Sequence, residues 1–434
     1  MNIAILGYGV EGQSAYNYLQ GAHPGATFTV YDGATAPPAN LPGGVQFVGG
    51  LQDFRGITAD LAFRSPSIPP SKVQVSGELT SVTRYFLKHC PAKVIGVTGT
   101  KGKGTTCSLI KAIFDATGKK TWLVGNIGVA ALDVLAQIQP NDIVIYEMSS
   151  FQLWDCDVSP HIAVVLGIES EHLDIHKDFN DYLFAKGNIA KYQKSDDIIV
   201  YKGDNAYSEW VSKVSPSTNK VPYQDPSHAH VENGRFMYDD SELFSVAALR
   251  IAGKHNRDNA CAAISAVWKW VQDGFDMERG IETFEGLPHR LKLVGTVNNV
   301  QYFDDSIGTT PGSTIAAIDA FDVPKLLILG GSSKGADFSK LAKRLKESTD
   351  IRRVFLVGAE APRIEQALKD VMFARYTNLG PSVTMPDIVK SVANTAEEGD
   401  VVILSPACAS FDMYQSYSDR GDQFIQAVQN LGAV

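Results

Sequence analysis

The segment GVTGTKGKGTT, residues 96–106, follows an apolar run and comes directly before a helix-forming stretch, CSLIKAIF. Backbone N–H groups at such a strand-to-helix turn point toward an anion, and the ammonium group of Lys103 adds a mobile positive charge for terminal phosphates. The usual phosphate-loop pattern, G-x-x-x-x-G-K-[ST], is not met, because Val97 replaces its first glycine and Gly104 follows the lysine. By itself the segment fits either a nucleotide site or a solvated glycine-rich turn.

Acidic and basic residues further along the chain could serve a nucleotide bound with magnesium. Glu147 ends the strand-like run DIVIYE, where a magnesium-binding acid is expected, since Mg²⁺ takes hard oxygen ligands. His172 and His176 are four residues apart but lack the glutamate of the H-E-x-x-H zinc motif, so one histidine near a cation is the more modest interpretation. Lys186 lies in an amphipathic helical pattern, where a lysine ordinarily extends to the surface.

A second glycine motif stands at the N-terminus. Gly7, Gly9 and Gly12 match G-x-G-x-x-G after a strand-like run, and Asp32 ends the next such run. This is the dinucleotide fingerprint in its usual context, with helix amides facing a pyrophosphate and an acid facing a ribose. From these residues alone a nicotinamide dehydrogenase, a site for another diphosphate and a merely structural turn all remain open.

The elements that must position these residues alternate between strands and helices in three successive segments. Such alternation predicts an α/β fold with mostly parallel sheets. We expect three domains: a Rossmann-like domain over residues 1–90, a central ATPase-like domain of the phosphate-loop type over 91–286, and a Rossmann-like domain over 287–434.

Composition narrows the class of protein. The 434 residues are 44% hydrophobic and 20% charged, which is typical of a soluble globular chain. A net charge of −9 without a basic block argues against nucleic acid as the main partner. The five cysteines form no C-x-x-C pair, which disfavours a disulfide framework or a zinc site. The chain opens directly on a strand, and no apolar run reaches the roughly 18 residues of a membrane span, so a cytoplasmic protein is expected.

The ordered motifs together resemble the Mur ligases, ATP-dependent enzymes that add amino acids to a UDP-linked peptidoglycan precursor. The loop of that family, G-[TS]-x-G-K, is matched by GTKGK at residues 99–103, which accounts for Val97. Further matches follow in the family's order over nearly the whole chain: GNIG (125–128), EMSSFQL (147–153), EHLD (171–174), GKHNRDN (253–259), GLPHR (286–290), DDS (304–306), GGSSKGADF (330–338) and LSPACASFD (404–412).

The resemblance implies an activity. A ligase of this kind would use ATP to add D-glutamate to UDP-N-acetylmuramoyl-L-alanine through an acyl phosphate, releasing ADP and phosphate, with two magnesium ions and as a monomer. A related ligase that uses L-glutamate or another acceptor is the first alternative. From other classes, an NAD-dependent dehydrogenase would use only part of these motifs, and a non-catalytic nucleotide-binding module would fit only if Gly104 and Ile307 mark the decay of an active site.

The resemblance also implies roles for individual residues. Those placed against ATP are Gly99, Thr100, Lys101, Gly102, Lys103, Gly104, Thr105, Thr106, Asn256, Arg290 and Asp305. Those placed against the UDP-linked substrate are Gly7, Gly9, Gly12, Asp32, Asn126 and His172. The amino-acid pocket would comprise Thr309, Lys334, Ser410 and Phe411. Magnesium would be held by Thr105, Glu147, His172 and a carbamylated Lys186, and the catalytic set would be Lys103, Glu147, His172 and Lys186.

The chain departs from the family pattern at several positions. Gly104 stands where serine or threonine is usual, which moves the expected hydroxyl ligand of magnesium to Thr105. Ile307 stands where the family has a lysine, and Lys101 is a candidate replacement for that cation. Gly33-Ala34 lacks the polar-and-basic pair that often follows the aspartate near the uridine diphosphate.

Overall fold

A computed structural model describes residues 1–173, 175–333 and 335–432. The described chain is mixed α/β with mostly parallel sheets, so the predicted fold class is confirmed. It divides into two compact units, the first formed by Met1–Ala248 with Arg257–Thr283 and the second by Leu249–Asn256 with Phe284–Val434. Among the described residues no helix is both long and apolar enough to span a lipid bilayer.

The first unit holds the strands β1 (Asn2–Leu6), β2 (Thr27–Tyr31), β3 (Gln46–Val48), β4 (Phe54–Ile57), β5 (Leu61–Arg64), β6 (Val73–Val75), β7 (Glu78–Ser81), β8 (Lys93–Thr98), β9 (Thr121–Gly125), β10 (Ile143–Glu147), β11 (Ile162–Val165), β12 (Ile198–Lys202), β13 (Asn219–Tyr223), β14 (Ala229–Glu232), β15 (Arg235–Tyr238) and β16 (Ser241–Ser245). Its helices, together with α8, which begins in the second unit, are α1 (Val10–Ala22), α2 (Val82–His89), α3 (Lys103–Ala116), α4 (Ala131–Leu135), α5 (Ser150–Leu153), α6 (Phe179–Lys191), α7 (Ala206–Val214), α8 (Lys254–Val267) and α9 (Gly274–Glu282).

Two parallel sheets dominate this unit, with strand orders β3-β2-β1-β5-β7 and β13-β12-β11-β8-β10-β9. A parallel pair, β4 and β6, and an antiparallel sheet, β14-β15-β16, are added to them. One apolar core runs through both large sheets and includes Ile5, Phe63, Val144 and Val165. Since the carboxyl ends of parallel strands meet at one edge, the residues that follow β8, β10 and β11 are brought to a common edge.

The second unit contains β17 (Lys292–Val297), β18 (Val300–Asp304), β19 (Lys325–Gly330), β20 (Ile351–Val357), β21 (Tyr376–Gly380) and β22 (Val401–Leu404), with α10 (Pro311–Ile318), α11 (Ser339–Glu347), α12 (Ala361–Asp370), α13 (Met385–Ala393) and α14 (Tyr417–Leu431). Its sheet has the order β17-β18-β22-β19-β20-β21, and only the β17–β18 pair is antiparallel among the described pairings. Helices pack an apolar core on each face of this sheet. The predicted boundaries near 90 and 287 fall in connections between elements, and the three-domain division itself stays a prediction.

Candidate active site

The loop between β8 and α3 has the backbone of a phosphate-binding turn. Gly99 and Gly102 have φ of 150° and 85°, which side-chain-bearing residues rarely adopt. A Cβ atom at Gly102 would overlap the amide of Asn259, and one at Gly99 would lie 2.6 Å from Leu166 Cβ. Glycine is therefore required at both positions, and α3 begins at Lys103 with its first amides at the end of this turn.

The side chains of the loop are held in place by their neighbours. Lys103 Nζ donates to the carbonyl oxygens of Gly99 at 3.1 Å and Thr100 at 2.9 Å. Thr100 Oγ1 accepts a hydrogen bond from the Glu169 N–H and lies 2.9 Å from the Tyr182 hydroxyl. Lys101, by contrast, is exposed to solvent.

Two threonines follow in the first turn of α3. Thr105 is 6% exposed, and Thr106 is fully buried. The Thr106 hydroxyl has no hydrogen-bond partner within the described part of the chain. Gly104 before them is buried in the same turn. The turn therefore carries two threonine hydroxyls despite the glycine after Lys103, and the assignment of Thr105 as a magnesium ligand stays a prediction.

Lys186 is buried, unlike the usual surface lysine of an amphipathic helix. Its side chain on α6 is 2% exposed, its Nζ donates to the Gly99 carbonyl at 2.8 Å, and it lies 4.6 Å from the centre of the Tyr182 ring. Burial, reinforced by the nearby charge of Lys103, lowers the pKa of Lys186 well below its ordinary value, and the charges of Glu171 and Glu147 oppose this shift. The interpretation of this lysine as a solvated side chain is therefore wrong.

Glu147 occupies the predicted place at the end of β10. It is paired in register with Val97 of β8, one strand over from the loop, and its side chain is 6% exposed. Its charge acts on both Lys186 and the thiol of Cys107, whose pKa is raised mainly by burial. The carboxylate is therefore within electrostatic reach of the phosphate loop.

The two histidines have different environments. His172, with φ of 57°, has a half-exposed side chain, a ring 5.1 Å from that of Phe151 and its Nε2 3.8 Å from a Glu171 oxygen. His176 is buried, with ring nitrogens 2.9 Å from Asp181 Oδ2 and 3.0 Å from the Ser150 hydroxyl. No cluster of three metal-ligating side chains occurs in residues 1–173, 175–333 and 335–432. Of these two histidines, His172 is the one whose side chain a ligand can reach.

A cavity of about 420 Å³ collects several of the predicted residues of the first unit. Lys103, Asn126, His172 and Lys186 all line it. Further lining comes from Pro66, Ser67, Ser149, Ser150, Phe151, Glu171, Ile175 and Tyr182. The volume lies within the range of small-molecule sites. The cavity thus combines hydrogen-bond donors from two lysines, a histidine and an amide with one carboxylate, that of Glu171, which suits a ligand that presents phosphate or carbonyl oxygens.

The N-terminal glycine turn has the predicted backbone but is outside this cavity lining. Gly7 has φ of 86°, and a Cβ at Gly12 would overlap the Gly7 carbonyl, so both glycines are sterically required. Gly9 has open space around it. Asp32 Oδ2 accepts from the Tyr8 N–H at 2.8 Å, and its Oδ1 accepts from the Ala34 N–H. One oxygen of the aspartate therefore braces the glycine turn, and the other is bound within the aspartate's own loop.

The second unit carries the other residues predicted to contact ATP. Asp305 follows β18 and is 7% exposed; its carboxylate accepts from the Ser405 hydroxyl at 2.6 Å and from the Leu291 N–H at 3.2 Å. Burial raises the pKa of Asp305 to about 7, against the effects of Ser405 and Arg290. Arg290 is exposed, and the buried Asn256 donates to the Ala252 carbonyl.

The predicted amino-acid pocket is only partly described. Ser410 is buried, Phe411 is 73% exposed, and the Phe411 N–H donates to the Ser332 hydroxyl at 3.2 Å. The Thr309 N–H donates to the carbonyl of Ile307 at 2.8 Å. Lys334 lies outside the described residues.

Comparison with known proteins identifies the family. The family model described as the Mur ligase middle domain matches residues 97–267, and that described as the Mur ligase, glutamate ligase domain matches residues 289–408. A UDP-N-acetylmuramoylalanine–D-glutamate ligase of Clostridium kluyveri is 34% identical over 406 residues, covering 89% of this chain and 85% of its own. The chain belongs to the Mur ligase family.

Solved structures of other Mur ligases share the fold. The UDP-N-acetylmuramate-alanine ligase MurC from Thermotoga maritima aligns with a TM-score of 0.61 and 16% identity over 99% of both chains. The MurF ligase of the same organism, solved in complex with ADP, aligns with a TM-score of 0.59 and 18% identity over 86% of this chain and 89% of its own.

Sequence reasoning missed several residues that line the cavity of this Mur ligase. Tyr182 precedes Lys186 by one helical turn, a spacing that places both on one face and could have indicated their contact. Ser149, Ser150 and Phe151 lie within the recognised EMSSFQL motif, but no role was predicted for them. The position of Pro66 and Ser67 at the cavity could not be predicted from the sequence, because it depends on how the first sheet packs.

Proposed function

We propose that this Mur ligase is an ATP-dependent enzyme of peptidoglycan precursor synthesis that joins D-glutamate to UDP-N-acetylmuramoyl-L-alanine. The observation that carries the proposal is the cavity in which Lys103 and Lys186 both donate to the Gly99 carbonyl beside the phosphate loop. The printed name of the Clostridium kluyveri relative supports the choice of substrates.

The chemistry suits these residue types. A carboxylate is a poor electrophile, so its oxygen first takes the γ-phosphoryl group of ATP, and ADP leaves. The amine of glutamate then attacks the resulting acyl phosphate, and the tetrahedral adduct loses an amine proton to solvent and expels phosphate to give an amide. We propose that Lys103 and the amides of the loop bind the ATP phosphates and stabilise their charge during transfer.

We propose that Thr105, Glu147, His172 and Lys186 hold magnesium, which would neutralise phosphate charge when bound. These residues can hold a magnesium ion only if Lys186 is not an ammonium group, since an ammonium group would repel the cation. The lowered pKa of Lys186 favours the neutral amine, which can attack CO₂ to form a carbamate and release a proton. That modification would replace a positive charge by a carboxylate-like ligand next to Glu147.

The remaining assignments are proposals of the same kind. We propose a domain for the UDP-linked substrate over residues 1–90, one for ATP over 91–286 and one for the amino acid over 287–434. In the last, Thr309, Lys334, Ser410 and Phe411 would contact glutamate, while Asn256, Arg290 and Asp305 would contact ATP. Gly7, Gly9, Gly12 and Asp32 would serve the UDP portion. We propose a monomeric cytoplasmic enzyme without a nucleic-acid partner.

The decisive experiment measures phosphate release by the purified protein with ATP, UDP-N-acetylmuramoyl-L-alanine and either D- or L-glutamate. We expect release that requires all three substrates and favours D-glutamate. Preference for L-glutamate would favour the related ligase with the other enantiomer. Release that is independent of the acceptor, or reduction of NAD with a hydroxy acid, would contradict the proposal.

The role of Lys186 is tested separately with Lys186→Ala. We expect activity to fall by about a hundredfold or more, because a group that holds catalytic charge is lost. Added short carboxylates should restore part of it by occupying the vacated space. Lys191→Ala, on the exposed face of the same helix, is the matched control and should retain full activity. An active Lys186→Ala enzyme would refute the carbamate.

A further inference from the structure

Arg64 is a buried arginine outside every motif discussed so far. It is the last residue of β5 and is 1% exposed. A guanidinium group carries five N–H donors and stays protonated, so burial without loss of stability requires an acceptor for each of them.

All five donors of Arg64 are satisfied. Nε and Nη2 donate to the two carboxylate oxygens of Asp155 at 2.8 and 2.5 Å. Nη2 also donates to the carbonyl of Phe151 at 3.3 Å. Nη1 donates to the carbonyls of Ser65 at 3.1 Å and Ile68 at 2.7 Å. One planar group therefore joins two segments of chain, residues 65–68 and 151–155.

These two segments form walls of the cavity. Pro66 and Ser67 line it from the turn that Arg64 closes, and Phe151 lines it from α5. Asp155 lies 91 residues from Arg64 in sequence, so the bond fixes a separation that no local structure determines. The planar, bidentate geometry of the pair restrains orientation as well as distance.

A second tie holds the same helix. Gln152 of α5 donates to Glu11 Oε1 at 2.6 Å, in the first turn of α1, and its own side-chain oxygen accepts from the Ser149 N–H. Gln152 is 1% exposed. Helix α5 is therefore held both by Arg64 and by Glu11, which lies within the N-terminal glycine motif.

We propose that Arg64 is a positioning residue that sets the distance between the Pro66–Ser67 wall and the α5 wall, so that the nucleotide-linked acid enters a preformed cavity. Arg64 itself is sealed from the cavity by these walls and acts through them. The inference rests on the proposed function, which supplies the identity of that acceptor. Preorganisation of this kind strengthens binding because fewer groups must be ordered when the ligand arrives.

The test compares Arg64→Met and Arg64→Lys with Arg84→Met. Arg84 is a matched control, because it also forms an ion pair with a residue that follows α5, Asp157. Its acceptors, Asp157 and Leu79, do not line the cavity. We expect Arg64→Met to raise the KM for the acceptor about tenfold, with the KM for ATP and kcat within about threefold of wild type. Arg64→Lys should give a smaller rise and Arg84→Met none.

Hydrogen exchange gives a readout that does not depend on turnover. In Arg64→Met the amides of Ser65, Ser67 and Ile68 and those of residues 149–155 should exchange faster than in wild type, whereas the same amides in Arg84→Met should not. Should Arg64→Met fail to fold, Arg64→Lys and Asp155→Asn, which preserve the buried volume, decide the question by the same two measurements.

The possible failures are distinguishable. A folded Arg64→Met enzyme with an unchanged KM for the acceptor, unchanged exchange, or an equal rise in the KM for ATP would overturn the positioning role. A wild-type enzyme that does not turn over this acceptor would refute the proposed function instead.

Discussion

Two buried arginines, one in each unit, hold segments of chain at or beside candidate ligand contacts, and they do so by different means. Arg64 bonds a carboxylate, that of Asp155, together with three carbonyl groups. Arg420 of α14 donates to the hydroxyl and carbonyl of Ser306 and to the carbonyls of Cys408 and Ala409. None of these described partners of Arg420 is ionised.

The difference lies in how each charge is tolerated. Burial lowers the pKa of Arg420 to about 10, with Tyr414 and Cys408 opposing the shift, but the guanidinium still stays protonated near neutral pH. Its acceptors are themselves buried, whereas the Asp155 side chain is 26% exposed. In the first unit, the buried guanidinium of Arg64 is therefore paired with a carboxylate that is partly exposed to water. In the second unit, the guanidinium of Arg420 donates only to neutral, buried groups. Removal of the Arg420 side chain should therefore lower the free energy of unfolding more than removal of the Arg64 carboxylate partner, because water cannot reach the acceptors that Arg420 leaves behind.

The largest expected effect is that of Arg420→Met. Four buried acceptor contacts would be lost, and the free energy of unfolding should fall by about 4 kcal/mol. Thermal and urea unfolding measure this. Lys343→Met, in which an exposed lysine of the same unit loses its surface pair with Glu347, is the control and should stay within about 0.5 kcal/mol of wild type. Equal stabilities of the two variants would mean that the hydrogen bonds of Arg420 do not stabilise the second unit.

Asp155→Asn makes Arg64 resemble Arg420, since only neutral acceptors remain around it. We expect a loss of about 2 kcal/mol, smaller than for Arg420→Met because most of the hydrogen bonds survive and the site is partly open to water. The same unfolding measurements apply. A variant as stable as wild type would show that Arg64, like Arg420, needs no carboxylate, and that the two arginines do not differ as described.

Glu11→Gln probes the charge next to Arg64. Burial raises the pKa of Glu11 to about 7, against the bond from Gln152 and the charge of Arg64. Because the folded pKa exceeds the unfolded one, this group's contribution to stability is complete below about pH 4.5 and is lost as pH rises through 7. Wild type should therefore lose about 1 kcal/mol more than Glu11→Gln between pH 6 and pH 8. Identical pH profiles of unfolding would contradict the raised pKa.

Much of the site in the first unit could be predicted from local sequence. The glycines of the loop at 99–104 follow from backbone conformations that only glycine adopts readily, and Glu147 follows from its position at the end of an apolar strand run. The parallel sheets follow from the alternation of strand and helix patterns. The separate environments of His172 and His176 could not be predicted, since both stand in the same polar segment and differ only in what packs on them.

Sequence by itself determined the alternation of strands and helices, the order of the motifs and the position of Glu147 at the end of its strand, because these depend on side-chain type and on short-range backbone geometry. Tertiary structure decided which charges are buried and what satisfies them. Lys186 became a lysine of lowered pKa because it packs beneath the loop at Gly99, 87 residues away. Arg64 and Arg420 donate to acceptors that lie 91 and 114 residues away in the sequence. Such pairings rest on contacts between segments that no periodicity connects, so only the folded chain specifies them.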